Sequence, residues 1–520
     1  MRDFHAFPRR IVPPHLGPGG VSRARLAVLI LALAAAILAV WQLERARAGV
    51  MITPLQVGST PATVYRLPDT GPAPVAVIAH GFAGSRQLME GFALVLARAG
   101  YVAVSYDLQG HGRNPVPMSG DVTQVDGTTR LLMEELGRVS DAALALPGTD
   151  GRLALLGHSM ASDLVARQAI RDRRVGAVVA VSMFSKAVTA TAPRNLLVVT
   201  GAWESLLAAE AERALQLADP AARLGQTVGD PAASTGRRAV LAPMVEHVGV
   251  LYAPTTLRES RDWLNAAFGR TAEGEVPARG GWIVLLLVSV VALGWPLAGL
   301  LRRFRAQTPP PHLPPRRFLA AMLLPALATP LLLAPFDLRF LPVLVADYLA
   351  VHLGVYGLVA LALVAGLGGL RRGNDAGTAL LLALPVAVFG LCLFGGALDR
   401  YVASFLPVAG RIPVMLAMAA GAVPFLLADA VLTEGGRAPL WRVLAVRSLA
   451  LTSLGLAVAL NFERLFFLLI ILPVILVFFL LFGTVGGWVG RATWRPVAAG
   501  VGLGLFLGWA LAVTFPMFAA

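Results

Sequence analysis

Gly157-His158-Ser159-Met160-Ala161 stands directly after the apolar run Leu153–Leu156 and directly before a helical pattern at Ser162–Arg171. A strand that turns sharply into a helix holds the middle residue of such a pentapeptide in a strained conformation with its side chain exposed. Small residues two before and two after let strand and helix pack closely. Gly157 meets the first need; Ala161, one methyl group larger than the usual glycine, meets the second. Serine is a poor nucleophile until a base takes its proton, and an imidazole can do so near neutral pH. The imidazole in turn needs a carboxylate to fix its tautomer and stabilise its charged form. These residue types follow in the order Ser159, Glu204, His247. Glu204 ends Gly201-Ala202-Trp203-Glu204, just past the strand candidate Leu196–Thr200, and His247 sits in Val245-Glu246-His247-Val248-Gly249 after Ala239–Met244. Glu246 is the rival acid, but as the direct neighbour of His247 it is poorly placed to reach the ring.

Two further turns close strand candidates. His80-Gly81-Phe82 follows Val75–Ala79, and Asp107-Leu108-Gln109-Gly110-His111-Gly112 follows Val102–Tyr106. With these pieces in place, residues 75–265 resemble the α/β-hydrolase superfamily, particularly its serine-aminopeptidase-like and monoacylglycerol-lipase-like branch. The likeness covers about 200 of the 520 residues. It implies Ser159 as nucleophile, His247 as general base and acid, and Glu204 as the carboxylate that orients the imidazole. It also implies the backbone N–H groups of Phe82 and Met160 as oxyanion donors, each worth roughly 3 kcal/mol to the transition state. Ala161 in place of glycine and Glu204 where aspartate is commoner are its two departures. His80, His111 and His158 are read as structural residues of their turns, and Trp203 as packing.

The elements that must hold these residues are short. Strand candidates are Thr63–Leu67, Val75–Ala79, Val102–Tyr106, Leu153–Leu156, Val175–Val181, Leu196–Thr200 and Ala239–Met244, with helical stretches at Leu88–Ala99, Asp121–Ala145 and Ser162–Arg171 between them. Strands alternating with helices predict a mainly parallel sheet covered on both faces. Near-continuous apolar strands such as Val75–Ala79 are what a fully buried sheet requires. The stretch between Val181 and Leu196 is too short for a large lid, so the site is open or covered by the helical bundle that follows.

Outside residues 50–270 the chain changes character. It is 57% hydrophobic and 14% charged, with a mean hydropathy of +0.70; a soluble globular chain carries roughly 25% charged residues. A basic segment at 1–25 precedes an apolar run at 26–43, read as an uncleaved transmembrane anchor in preference to a signal peptide cleaved after Ala46-Arg47-Ala48, where the arginine is awkward for cleavage. A polar link at Thr271–Gly280 leads into an all-α bundle at 281–518 of about eight membrane helices, near 281–301, 318–336, 344–370, 377–397, 412–432, 443–461, 465–489 and 496–518. That makes about nine in total. Arginines concentrate in alternate loops: Arg302, Arg303, Arg305, Arg316 and Arg317; Arg371 and Arg372; Arg437 and Arg442; Arg491 and Arg495. The intervening loops hold Asp337 with Arg339, Asp399 with Arg400, Glu463 with Arg464, and Arg411, the one blemish. The positive-inside rule then puts the basic N-terminus inside and the hydrolase-like region outside. That is the arrangement of a bacterial inner-membrane protein with a periplasmic catalytic domain.

The net charge is +14, and Lys186 is the only lysine. Because the arginines cluster at the ends of apolar runs, the basic balance is assigned to topology and not to nucleic acid. Cys392 is the only cysteine, and the eight histidines form no spaced ligand set, so no metal and no cofactor are expected. The expected activity is hydrolysis of an ester, or secondarily an amide or peptide bond, through an acyl-enzyme. The expected partners are a small-molecule or lipid-like acyl substrate and the membrane lipids. Two alternatives stay open on sequence alone: a transport or signalling protein whose hydrolase-like domain only binds, and an acyltransferase. Within the bundle, Asp429 and Arg447 are read as a structural ion pair, and Asp347 and His352 as residues that do not share a helix face.

Overall fold

The computed structural model describes residues 22–68, 71–119, 125–369 and 376–519. Arg2, Arg9 and Arg10 of the basic segment, the expected helix start at Asp121, and Arg371 with Arg372 lie outside the described residues.

Nine strands form one sheet: β1 (Met51–Val57), β2 (Thr60–Arg66), β3 (Ala73–Ala79), β4 (Val102–Tyr106), β5 (Thr149–His158), β6 (Val175–Val181), β7 (Leu196–Gly201), β8 (Thr227–Val228) and β9 (Arg237–Ala242). Their spatial order is β1-β2-β4-β3-β5-β6-β7-β9-β8. The six from β4 to β9 in that order run parallel, while β1, β2 and β8 pair antiparallel at the two ends. Alternation splits each strand between two cores. Val75 and Val77 of β3 pack on one face with α3 (Arg130–Leu144), α4 (Met160–Arg171) and α5 (Ser205–Gln216). Ala76 and Ile78 pack on the other with α2 (Glu90–Arg98) and α6 (Pro254–Phe268). The expected parallel α/β sheet is therefore what forms. Sequence reading missed β1 and β8. It ran the last strand to Met244, whereas β9 ends at Ala242 and leaves Val245–His247 free to turn back towards the elbow.

Among the described residues, nine helices are long and apolar enough to cross a membrane: Arg23–Arg45, Arg279–Phe304, Pro315–Leu333, Ala346–Gly366, Ala376–Tyr401, Ala409–Leu432, Leu440–Leu460, Leu468–Thr493 and Pro496–Thr514. The first packs against the second, with Ala39 and Leu43 buried in the common core. Inside this all-α region Arg447 Nε lies 3.1 Å from Asp429 Oδ1, the expected pair. Asp347 accepts the N–H groups of Phe340 and Leu341, while His352 Nε2 lies 3.1 Å from Ser453 Oγ.

Three of the arginine-rich loops, those around 301–317, 433–442 and 491–495, gather at one end of the helices. Arg305 donates to the carbonyls of Ala492 and Arg491, Arg495 to Phe304, and Arg442 to Leu313. The arginine-poor loops meet the sheet region at the other end. Ser404 N–H donates to Ser85 Oγ and Arg113 Nη2 pairs with Asp399 at 2.6 Å, while Arg400 beside them pairs with Glu44 at the end of the first long helix. The C-terminal residues continue this junction as a short ladder, Met517 N–H to Gly110 O and Met118 N–H to Met517 O.

Candidate active site

The turn at Ser159 is built from small residues. β5 runs straight into α4, and Ser159 at the junction has φ 53° and ψ −118°, the strained left-handed geometry that an elbow imposes. Gly157 cannot be larger, because a Cβ there would lie 2.7 Å from the Ala161 carbonyl carbon. Ala161 itself is fully buried without displacing the turn.

Ser159 Oγ lies 2.8 Å from His247 Nε2, and His247 Nδ1 lies 2.5 Å from Glu204 Oε1. The three residues singled out by order in the sequence thus converge from the ends of β5, β7 and β9. Glu204 is held on its other oxygen by the Ser182 hydroxyl and the Gly201 N–H, both at 2.7 Å. Burial pushes the Glu204 carboxyl up, but the hydrogen bonds from His247, Ser182 and Gly201 outweigh it and hold the group below its ordinary value. Glu246 turns away from the ring. Its carboxylate caps the N–H groups of Val248 and Gly249.

The loop after β3 approaches Ser159 because Gly81 lacks a side chain; a Cβ there would be 2.9 Å from Ser159 Cβ. Its neighbour Phe82 and the first residue of α4, Met160, have no hydrogen-bond acceptor for their N–H groups among the described residues. His80 Nε2 accepts the Leu108 N–H, which leaves its Nδ1–H to donate to Gly81 O at 2.8 Å and fix that loop. Burial lowers the His80 pKa. Asp107 ties the same loop to its neighbour by accepting from the Arg86 N–H, Arg86 Nη1 and the Arg113 N–H.

Ser182 and His158 are the contributors that sequence reasoning did not assign to the site. His158 Nε2 lies 3.0 Å from the carbonyl oxygen of His247, and burial holds its pKa down to about 3. The ring is therefore neutral and donates through Nε2–H. The site is open: the His247 side chain is 43% exposed, and only turns join β6 to β7. On one side the helical region closes it, where Phe82 meets Phe467 with ring centroids 5.6 Å apart. A metal ion has no cage here, since no group of three or more His, Cys, Asp or Glu suited to one occurs among the described residues.

A family model described as Hydrolase_4, serine aminopeptidase, S33, matches residues 70–235. No curated protein matches this chain. Among solved structures, the chain is similar to a hypothetical protein of Pseudomonas aeruginosa at 13% identity and TM-score 0.32, over 42% of this chain and 92% of that one. It is also similar to a Thermus thermophilus protein at 18% identity and TM-score 0.30, over 43% and 99%. An epoxide hydrolase of Vigna radiata matches at 22% identity and TM-score 0.21, over 28% of this chain and 41% of its own length. The family match falls on the segment that contains Ser159 and Glu204, inside the parallel sheet. Over that segment the chain is similar to the serine-aminopeptidase-like α/β hydrolases, which supports a hydrolase activity, and the segment is joined to a region of long apolar helices.

Proposed function

We propose that the protein is a membrane-anchored serine hydrolase that cleaves an ester through an acyl-enzyme. The observation that carries the reading is the unbroken hydrogen-bonded line from Ser159 Oγ through both ring nitrogens of His247 to Glu204. In this account His247 Nε2 takes the Ser159 proton as Oγ attacks the ester carbonyl. The tetrahedral oxyanion is met by the N–H groups of Phe82 and Met160. His247 then gives its proton to the departing alkoxide and leaves Ser159 acylated. A water deprotonated by the same nitrogen attacks the acyl carbon, and the acid departs as Ser159 recovers its proton. Glu204 keeps Nδ1 protonated and stabilises the imidazolium.

The same proposal takes 26–43 as the anchor, 50–270 as the catalytic domain outside the membrane, and 281–518 as a bundle within it. Support comes from the separation of arginine-rich loops to the end away from the sheet. A p-nitrophenyl ester assay of the purified full-length protein tests the chemistry. Wild type should release nitrophenolate with a burst of one equivalent, and Ser159→Ala should lower kcat by at least about 10⁴. Equal turnover by the two would overturn the reading.

A further inference from the structure

The loops that carry the site are also the loops that face the helical region. Those after β3 and β4 meet it through Ser85–Ser404, Arg113–Asp399, Phe82–Phe467 and the Gly110–Met517 ladder. The loop after β9 meets it through Tyr252, which packs against the helical core beside Gly280 at the start of the second long helix. Between these contacts the same edge of the sheet bears large apolar side chains with nothing over them. Phe184 follows β6 at 59% exposure, Trp203 and Leu206 follow β7 at 69% and 85%, and Met244 and Val248 follow β9 at 76% and 51%. The three loops are tied into one rim. Trp203 N–H donates to Val245 O, and Arg213 of α5 donates to Ser185 O. Apolar side chains scattered singly need no explanation, but a rim of them around a reactive centre marks a docking surface.

We propose that this rim lies in the headgroup layer of the bilayer that holds the helices, so that Ser159 draws a lipid-embedded acyl ester from that leaflet. The inference rests on the serine-hydrolase reading for its substrate, but not for its placement. A lipid surface is favoured over a protein partner because the rim is continuous with the junction to the apolar helices. Their ends fix the height of the membrane beside it. The composition fits as well. Trp203 is suited to the boundary between water and hydrocarbon, and the chain's only lysine, Lys186, is exposed two residues from Phe184, where an ammonium group would meet anionic headgroups.

The test uses the full chain in phosphatidylcholine–phosphatidylglycerol vesicles. In a Cys392→Ser background, an environment-sensitive fluorophore is placed at Leu206→Cys, with Arg173→Cys at the opposite edge of the sheet as control. Nitroxide lipids should quench the label at 206 at least five-fold more than at 173; equal quenching, or protection of 206 by a co-purifying protein, would overturn the placement. A second arm uses Phe184→Ser with Leu206→Ser. Fluorophosphonate labelling in detergent and hydrolysis of a water-soluble acetyl ester should stay within two-fold of wild type, while hydrolysis of a long-chain ester dissolved in the vesicles should fall at least ten-fold. Unchanged hydrolysis of both esters would overturn the substrate route. If the wild type cleaves neither ester while 206 is quenched, the hydrolase reading fails and the docking surface stands.

Discussion

His158 and His247 are joined backbone to ring: the neutral imidazole beside Ser159 donates its Nε2–H to the carbonyl oxygen of the residue proposed as base, at 3.0 Å. The elbow thereby holds the turn after β9 at its own height. The two rings lie 4.9 Å apart, so a charge on one would oppose a charge on the other. Burial, with a smaller contribution from His247, resolves this by keeping His158 uncharged to about pH 3.

That relationship has a consequence for acid stability. With a folded pKa of about 3 against an ordinary value of about 6.5, the unfolded chain takes up this proton first as pH falls. The native state thus loses stability from pH 6.5 downwards to about 3, by up to about 1.4 kcal/mol per pH unit for this one group. His158→Gln keeps a donor and removes the titration. Its Tm, measured by differential scanning fluorimetry from pH 7.5 to 4.5, should fall less steeply than that of the wild type. Parallel slopes would contradict the account.

The proposed role of Glu204 as the triad acid is tested by comparing two carboxylates near His247. Glu204→Gln removes the charge facing His247 Nδ1 and should lower kcat on an activated ester by about 10⁴ with little change in KM. Glu246→Gln alters only the cap on Val248 and Gly249 and should stay within about three-fold. Ser182→Ala removes one of the two donors to Glu204 Oε2. It should lower kcat about ten-fold, as the loss of a hydrogen bond to a charged group implies.

Much of this site was legible in the sequence because its signals are local. The elbow pentapeptide, a strand on its near side and a helix on its far side lie within twenty residues, and the long apolar helices announce themselves by composition. Ser182 was not legible. It reaches Glu204 only because β6 and β7 lie side by side, and a serine after a strand carries no mark of that. Edge strand β1 was hidden by its exposed pattern and by Pro54, which a central strand would not tolerate. Equally invisible was the pairing of Met517 with Gly110, some 400 residues apart in sequence.

Arg411 shows how an anomaly in the sequence becomes a contact in the structure. It was the blemish among the arginine-poor loops. Its side chain is fully buried and donates to the carbonyls of Ala512, Phe515 and Gly110, clamping the last helix to the turn after β4. Arg411→Met removes three buried hydrogen bonds, of which only the one to Gly110 O has a second donor among the described residues, the Met517 N–H, and should cost about 3 kcal/mol or more. The expected readout is earlier thermal aggregation of the detergent-solubilised protein. An unchanged midpoint would show that the clamp does not hold the two regions together.

Topology is open to direct measurement. Alkaline phosphatase fused after Arg270 should be active, and after Arg437 inactive, as the arginine distribution requires. A cytoplasmic reading at Arg270 would reverse the orientation of the whole chain.

The central claim is that Ser159 is the acylated nucleophile, and a fluorophosphonate probe with peptide mapping tests it most directly. The account predicts one equivalent of adduct on the peptide containing Ser159, reduced at least a hundred-fold in His247→Ala and absent in Ser159→Ala while that variant remains folded. An adduct that persists in Ser159→Ala, or that maps to another residue of the wild type, would contradict it.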